Sequence, residues 1–140
     1  MKLISATIYA LRLPFVASFS HSAKERTFSD SIIVKVRDES GLEGFGEGAP
    51  REYVTGETQA AAMAHLAETL WPLVAGRVID RCSGTPETLP EFVPDASIAN
   101  ALSDGASRCA LELAILDLAL RLRKLPMAHL LPPRRHTVVY

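Results

Sequence analysis

The chain has 140 residues and a net charge of −1, and 48% of its residues are hydrophobic while 22% are charged. This length suits a single domain with a core of its own, and the near-neutral charge argues against a general nucleic-acid binder, which needs an excess of lysine and arginine. No stretch approaches the roughly 18 uninterrupted apolar residues of a membrane span, so we predict a cytoplasmic protein with neither a nucleic-acid nor a membrane partner.

The first segment alternates polar and apolar residues, with Ile4, Ala6 and Ile8 in one register, which predicts a β-strand. Pro14 lacks a backbone N–H and is expected to end this strand or to mark it as an edge. The serine-rich stretch from Val16 to Thr27 has no period and predicts a long loop, of a length that is often functional.

The next segment predicts a hairpin. Residues 32–37 alternate again, and Asp38–Gly41 has the composition of a turn. The returning strand carries Gly44, Gly46 and Gly48, whose order does not match a phosphate-binding loop. We interpret these glycines as positions where another backbone approaches closely, or as bulges.

From Thr55 onwards the period becomes helical, and this threonine is the predicted cap, with Glu57 close to the positive end of the helix. Residues 77–96 are expected to be loop with a short helix near Glu87–Phe92. A long helix is predicted over residues 97–125, and Pro126 ends it. Its predicted apolar face comprises Ile98, Leu102, Ala106, Cys109, Leu113, Leu116 and Leu120, and its alanines Ala101, Ala106, Ala110 and Ala114 permit close packing.

Strands that precede helices predict an α+β domain, here a three-stranded antiparallel β-meander followed by a helical bundle. The two cysteines, Cys82 and Cys109, lie far apart without zinc-type spacing, and the histidines have no partner at metal-ligand spacing. We therefore predict reduced thiols and no metal site in this chain.

Two segments, DSIIVKVRDESGLEGFGEGAPREYVTGET and ALELAILDLALRLRKLPMAHLL, resemble in order and spacing the amino-terminal domain of the mandelate racemase/muconate lactonizing enzyme group of the enolase superfamily. The segment PREYVTGET is most similar to the muconate lactonizing branch, which includes cycloisomerases and dipeptide epimerases. The resemblance implies an enolase-type capping domain over residues 1–131, and a linker or the start of a barrel over residues 132–140.

In that family the capping domain closes over a (β/α) barrel, and the shared reaction removes a proton alpha to a carboxylate while Mg²⁺ stabilises the enediolate. The resemblance maps two specificity loops onto residues 16–26 and 50–55. The candidate substrate-binding residues that follow from it are Phe19, His21, Lys24, Arg26, Arg51, Tyr53 and Val54. For each of them a structural alternative stays open, since loop cations and histidines are often merely solvated, aromatic residues often pack beneath their loop, and Arg51 and Glu52 can simply pair at the surface.

The barrel would carry the lysine bases and the carboxylates that hold magnesium, and this chain has no Lys-x-Lys motif. Glu112 and Asp117 are five residues apart and do not share a helix face well, so we predict no catalytic residue and no cofactor here. We expect the chain alone to be inactive, and an isomerase that binds Mg²⁺ and a small carboxylate substrate only when a barrel completes it. Self-association through the exposed barrel-facing surface is expected, and the alternative is a stand-alone binding or oligomerisation module.

Overall fold

The computed structural model describes residues 1–21, 24–78 and 105–130, with the side chains of 17–26 and 129–130 left aside. Three strands form one antiparallel sheet in the order β1-β2-β3, namely β1 (Leu3–His21), β2 (Lys24–Asp38) and β3 (Glu43–Gly48). This confirms the predicted meander. Pro14 lies on β1, which is an edge strand, so the missing N–H removes no bond from a central ladder.

The predicted loop over Val16–Thr27 is wrong, because β1 and β2 continue through most of it as a long hairpin. The register shifts between Pro14 and Phe19, and pairing then resumes with Phe19 opposite Arg26. The antiparallel partner satisfies the backbone hydrogen bonds even where the side chains show no alternation. β3 pairs only with the stretch Ile32–Arg37, so the outer part of the hairpin is a two-stranded arm.

The predicted turn between β2 and β3 is confirmed, and Asp38 organises it. One carboxylate oxygen accepts hydrogen bonds from the backbone N–H of Ser40 and of Leu42, both at 2.9 Å, and from the Ser40 hydroxyl at 2.7 Å. Gly41 takes the left-handed conformation with φ 87°. Burial alone would raise the pKa of Asp38, but these hydrogen bonds outweigh it and hold the pKa below its ordinary value.

The helices after the sheet begin with the single turn α1 (Glu52–Thr55) and continue with α2 (Gln59–His65). The π-helical segment Leu66–Leu70 joins α2 to α3 (Trp71–Val74). Pro72 is the second residue after this π turn, and a π turn is one way for a helix to accommodate a residue that cannot donate to the preceding turn.

The cap predicted at Thr55 is wrong, because Thr55 ends α1. Thr58 caps α2 instead, and its hydroxyl accepts a hydrogen bond from the Ala61 N–H at 3.1 Å. Gly56, in the left-handed conformation with φ 73°, separates the two helices.

The long helix α4 spans Ala106–Arg123, and the prediction of one continuous helix over residues 97–125 is wrong because Gly105 has extended backbone. Lys124 follows the helix in the left-handed conformation, two residues before Pro126. The predicted apolar face is partly wrong, since Cys109 and Leu113 are exposed whereas Leu120 is buried. A short 3-10 helix, Met127–Leu130, follows. Among the described helices, none combines the length and hydropathy that crossing a bilayer requires.

The glycines of β3 lie directly beneath α4, which confirms the close backbone approach inferred from the sequence. A Cβ built on each of them would lie within 3.0 Å of the helix backbone. The contacts follow the helical repeat of four residues, with Gly48 against Ala106, Gly46 against Ala110 and Gly44 against Ala114. Small residues on both sides thus let a helix backbone rest on a strand backbone.

The core lies between the helix-facing side of the sheet and the helices α2–α3 and α4. Its buried members are Leu3, Ile32, Val34, Val36, Ala62, Leu66, Leu70, Val74, Ala110, Leu111, Ala114, Ile115 and Leu118. Asp117 on α4 accepts a hydrogen bond from the Phe45 N–H at 2.9 Å, which satisfies a donor on the other edge strand, β3. The sequence predictions for Cys82, Glu87–Phe92, Ile98, Ala101, Leu102 and residues 132–140 lie outside the described residues.

Candidate cleft beside the third strand

An open cleft of about 460 Å³ lies where the chain leaves β3 and enters α2. We call residues 51–58, which form much of its wall, the rim loop. The lining residues are Asp30, Pro50, Arg51, Glu52, Tyr53, Glu57, Thr58 and Gln59. Two of the residues predicted from the sequence, Arg51 and Tyr53, are therefore brought together in one concave site.

The Arg51 guanidinium is fastened to the protein's own backbone. Its Nη1 donates to the carbonyl oxygens of Asp30 at 2.7 Å and Pro50 at 2.8 Å, and Nη2 donates to the Ser29 hydroxyl at 3.0 Å. These bonds tie the start of the rim loop to β2 alongside the point where β3 has ended. Arg51 therefore has a structural role in holding the loop. Its predicted role in substrate binding stays a prediction.

The backbone hydrogen bonds of the turn α1 are made within the turn and its flanking residues, and its side chains face outwards. The N–H groups of Val54 and Thr55 donate to the Arg51 carbonyl, and that of Gly56 donates to the Glu52 carbonyl. Tyr53 is 58% exposed and Val54 is 69% exposed. Both predicted residues are thus at the surface of the turn, with Tyr53 at the wall of the cleft.

The far end of the rim loop is fastened to α4. The Glu57 Oε2 atom accepts a hydrogen bond from the Ala106 N–H at 2.7 Å. The residue before the helix, Gly105, has extended backbone and provides no side-chain cap. The sequence predicted Glu57 near the positive end of the helix that follows it, whereas its carboxylate binds the first N–H of α4.

Gln59 fixes the floor of the cleft to the sheet. Its Nε2 donates to the carbonyl oxygens of Leu11 at 2.9 Å and Ser31 at 2.8 Å, which belong to opposite positions of β1 and β2. The sequence analysis missed Asp30, Thr58 and Gln59 as lining residues. A local signal marks only Thr58, since Thr58 is the cap that Thr55 was predicted to be.

The cleft carries more negative than positive charge. Three of its lining residues are carboxylates, Asp30, Glu52 and Glu57, and the one cation in the described lining is Arg51. Asp30 also lies 3.9 Å from the Arg12 guanidinium in an exposed ion pair, which is a weak interaction in water. The remaining excess of acidic groups favours a positively charged ligand group at this wall.

The residues predicted on the first loop are brought together in pairs by the hairpin. Phe19 lies opposite Arg26, and His21 lies opposite Lys24, at the end of the two-stranded arm. Their roles in substrate binding stay predictions from the family resemblance.

Within residues 1–21, 24–78 and 105–130, no three His, Cys, Asp or Glu side chains converge as a metal site. The two acidic residues of α4 that the sequence raised have structural partners. Glu112 accepts from Arg108 at 2.7 Å, and Asp117 accepts from Arg121 at 2.7 Å.

A three-stranded antiparallel meander followed by helices is the fold of the amino-terminal domain in enolase superfamily enzymes. The chain belongs to the family described as mandelate racemase/muconate lactonizing enzyme, N-terminal domain, which matches residues 3–132.

Several curated relatives of this chain are epimerases or racemases. The N-succinyl-L-Arg/Lys racemase of Bacillus cereus is 36% identical over 77 residues, which is 55% of this chain and 21% of that protein. The L-Lys-D/L-Arg epimerase of Desulforapulum autotrophicum is 28% identical over 131 residues, 94% of this chain and 35% of that protein. The chain thus spans about a third or less of the length of these relatives.

A solved dipeptide epimerase from Enterococcus faecalis, complexed with Mg and the dipeptide L-Leu-L-Tyr, superposes with a TM-score of 0.76 at 25% identity. The match covers 95% of this chain and 35% of that one. This agreement confirms both the fold class and the family resemblance drawn from the sequence.

Proposed function

We propose that this chain is the capping and substrate-specificity domain of an epimerase or racemase that removes a proton alpha to a carboxylate, and that it has no activity without a barrel domain. The observation that carries the proposal is the cleft at the rim loop, in a chain of this family. The described residues present a wall for a ligand but no metal-ligating group of three. We therefore assign the Mg²⁺ ligands and the proton-transferring bases of the proposed enzyme to the barrel.

The charge of the cleft supports a substrate that carries a cationic group as well as its carboxylate. Three N–H donors of Arg51 bind two carbonyl groups and a hydroxyl, while Glu52 is exposed at the wall. Tyr53 adds an aromatic ring beside these carboxylates, a combination that suits an ammonium or guanidinium group. A lysine- or arginine-containing dipeptide or N-acyl amino acid has these features, and two of the relatives are named for such substrates.

The exposed apolar side chains of the two-stranded arm support a covering partner domain. Leu13, Val16 and Phe28 are 48%, 109% and 40% exposed. A two-stranded hairpin is only marginally stable in water by itself, so an arm of this kind gains from packing against another surface. Self-association through such a surface and a cytoplasmic location stay predictions.

The test is a fusion in which this chain replaces the matching segment of the Enterococcus faecalis dipeptide epimerase, a match that covers 95% of this chain. A preference for lysine- or arginine-containing substrates would then come from this chain and not from the barrel. Deuterium incorporation at Cα in D₂O, followed by NMR with Mg²⁺ present, is measured for N-succinyl-L-arginine, L-Lys-L-Arg, L-Leu-L-Tyr and L-Ala-L-Glu. We expect turnover by the fusion, with preference for the two substrates that have a cationic side chain, and none by the 140-residue chain alone. Turnover by the isolated chain would overturn the assignment.

Tyr53→Ala in the fusion tests the specificity role. Because Tyr53 is exposed, we expect its loss to change the ratio of kcat/KM between L-Lys-L-Arg and L-Leu-L-Tyr severalfold while the Tm moves by less than about 2 °C. Leu122→Ala, which truncates another exposed apolar residue, on the surface of α4, is the matched control and should leave the ratio unchanged. An unchanged ratio in the Tyr53 variant would contradict the lid assignment.

A further inference from the structure

We propose that Glu57 is a positioning residue, which ties the rim loop to the N-terminus of α4 and so holds Tyr53 at the mouth of the cleft. The proposal rests on the proposed function for its consequence in catalysis. Its structural part stands on contacts within the described chain alone.

Both ends of the rim loop are hydrogen-bonded to other elements of the domain. At its start, Arg51 is bound to the backbone of β2, and at its end Glu57 is bound to the Ala106 N–H at 2.7 Å. None of the α1 residues is buried. The two ends of the loop therefore contribute to the position of α1, which carries Tyr53.

The attachment depends on Gly105 as well as on Glu57. Gly105 has no side chain, and a Cβ there would lie 3.1 Å from each Glu57 carboxylate oxygen, which is tighter than ordinary contact. Its φ of −176° is open to any residue, so the position excludes side chains by space and not by backbone conformation. The carboxylate thus occupies the place that a capping side chain of α4 would take, and it brings a charge-assisted bond to the first turn.

This attachment also connects two elements that are distant in sequence. Glu57 and Ala106 are 49 residues apart, and a second bond, between His65 Nδ1 and Ser107 Oγ at 3.0 Å, joins α2 to the same turn of α4. α4 in turn rests on the glycines of β3. The rim loop is therefore attached to a helix that packs directly on the backbone of β3.

The test compares Glu57→Ala, Glu57→Gln and Glu57→Ala/Gly105→Ser in the 140-residue chain, with Glu68→Ala as the control that removes an exposed carboxylate from the adjacent helix. Hydrogen exchange by mass spectrometry is followed for the rim loop and for the first turn of α4. We expect about fivefold faster exchange in both segments of the alanine variant, from loss of a cap-like bond. The glutamine variant, which keeps an acceptor, and the Glu68 control should stay within about twofold of the wild type.

The double variant separates positioning from capping. Serine at position 105 gives α4 its own cap, in space that the shortened residue 57 has vacated, but it does not reattach the loop. We expect the first turn of α4 to recover and the rim loop to keep its fast exchange. Recovery of both segments would show that Glu57 only caps the helix and would overturn the proposal.

In the fusion enzyme, the alanine and double variants should raise KM for L-Lys-L-Arg about fivefold with kcat within twofold, and Glu57→Gln should restore KM. If the glutamine variant raises KM as much as alanine does, Glu57 contacts the substrate cation directly and the positioning role is wrong. A fusion with no activity even for the wild-type chain would count against the proposed function, while the exchange experiment would still decide the role of Glu57.

Discussion

Gly46→Ala is expected to cost about 3 kcal/mol of unfolding free energy, because the added methyl group has no space beneath α4. Its Cβ would lie within 3.0 Å of the Ala110 carbonyl, the Ala114 nitrogen and the Leu113 Cβ, where ordinary contacts begin at 3.4 Å. Two of these atoms are backbone, so no rotamer change relieves the clash and the whole helix must retreat from the sheet. Overpacking of this kind costs about 1–3 kcal/mol, and an obstruction by backbone belongs at the upper end.

The assay is urea unfolding followed by far-UV circular dichroism and by the fluorescence of Trp71, which packs against the core. For a domain of this size, a loss of about 3 kcal/mol corresponds to a Tm lower by roughly 10 °C. Gly41→Ala is the matched control, because Gly41 has φ 87° and no atom within 4 Å of a built Cβ. It should lose only about 1–2 kcal/mol from backbone strain.

The two variants separate close approach from conformational freedom. Should Gly46→Ala lose no more stability than Gly41→Ala, α4 would not rest on the β3 backbone as described, and the packing argument for all three strand glycines would fail.

Two further predictions concern the turn and the helix cap. Asp38→Ala should destabilise the domain by about 1–3 kcal/mol, because it leaves the donors of the turn unsatisfied. The pKa of Asp38 is lowered in the folded state, so the stability that its charge contributes is present above about pH 4 and is lost as the pH falls through the folded pKa. The stability of Asp38→Asn should therefore depend less steeply on pH in acid titrations. Thr58→Ala should cost about 1 kcal/mol by chemical denaturation through loss of its bond to the Ala61 N–H, and Thr55→Ala less than about 0.5 kcal/mol; the reverse order would restore Thr55 as the cap.

Local sequence patterns determined the parts of the fold that depend on neighbouring residues. Alternation predicts the sheet-forming part of each strand, and an Asp-x-Ser-Gly sequence predicts the turn, because the Asp38 carboxylate reaches donors only two and four residues away. The glycines of β3 recur every two residues, as on one face of a strand, and the alanines of α4 recur every four residues, as on one face of a helix. Each pattern therefore indicated close packing, although the sequence did not show that the two elements contact each other. Together with the sequence of the rim loop, these two segments carried the family resemblance.

The orientation of α4 could not be predicted, because apolar residues surround most of that helix and no single stripe stands out. The contact with the β3 glycines selects Ala106, Ala110 and Ala114 for the sheet, and it thereby turns Cys109 and Leu113 outwards. Only the tertiary structure supplies that choice, since it depends on the complementary surface of another element.

In the cleft, too, local sequence predicts some properties of the residues and only the tertiary structure decides others. Exposure of Tyr53 and Val54 followed from a proline–glycine-bounded loop, which is a local property. The roles of Arg51 and Glu57 did not, since their partners lie 21 and 49 residues away and a charged side chain in a loop carries no record of the distant backbone group that it will bind. Chain order determined which residues form the rim, and the packing of β2 and α4 around it decided which of them hold it in place.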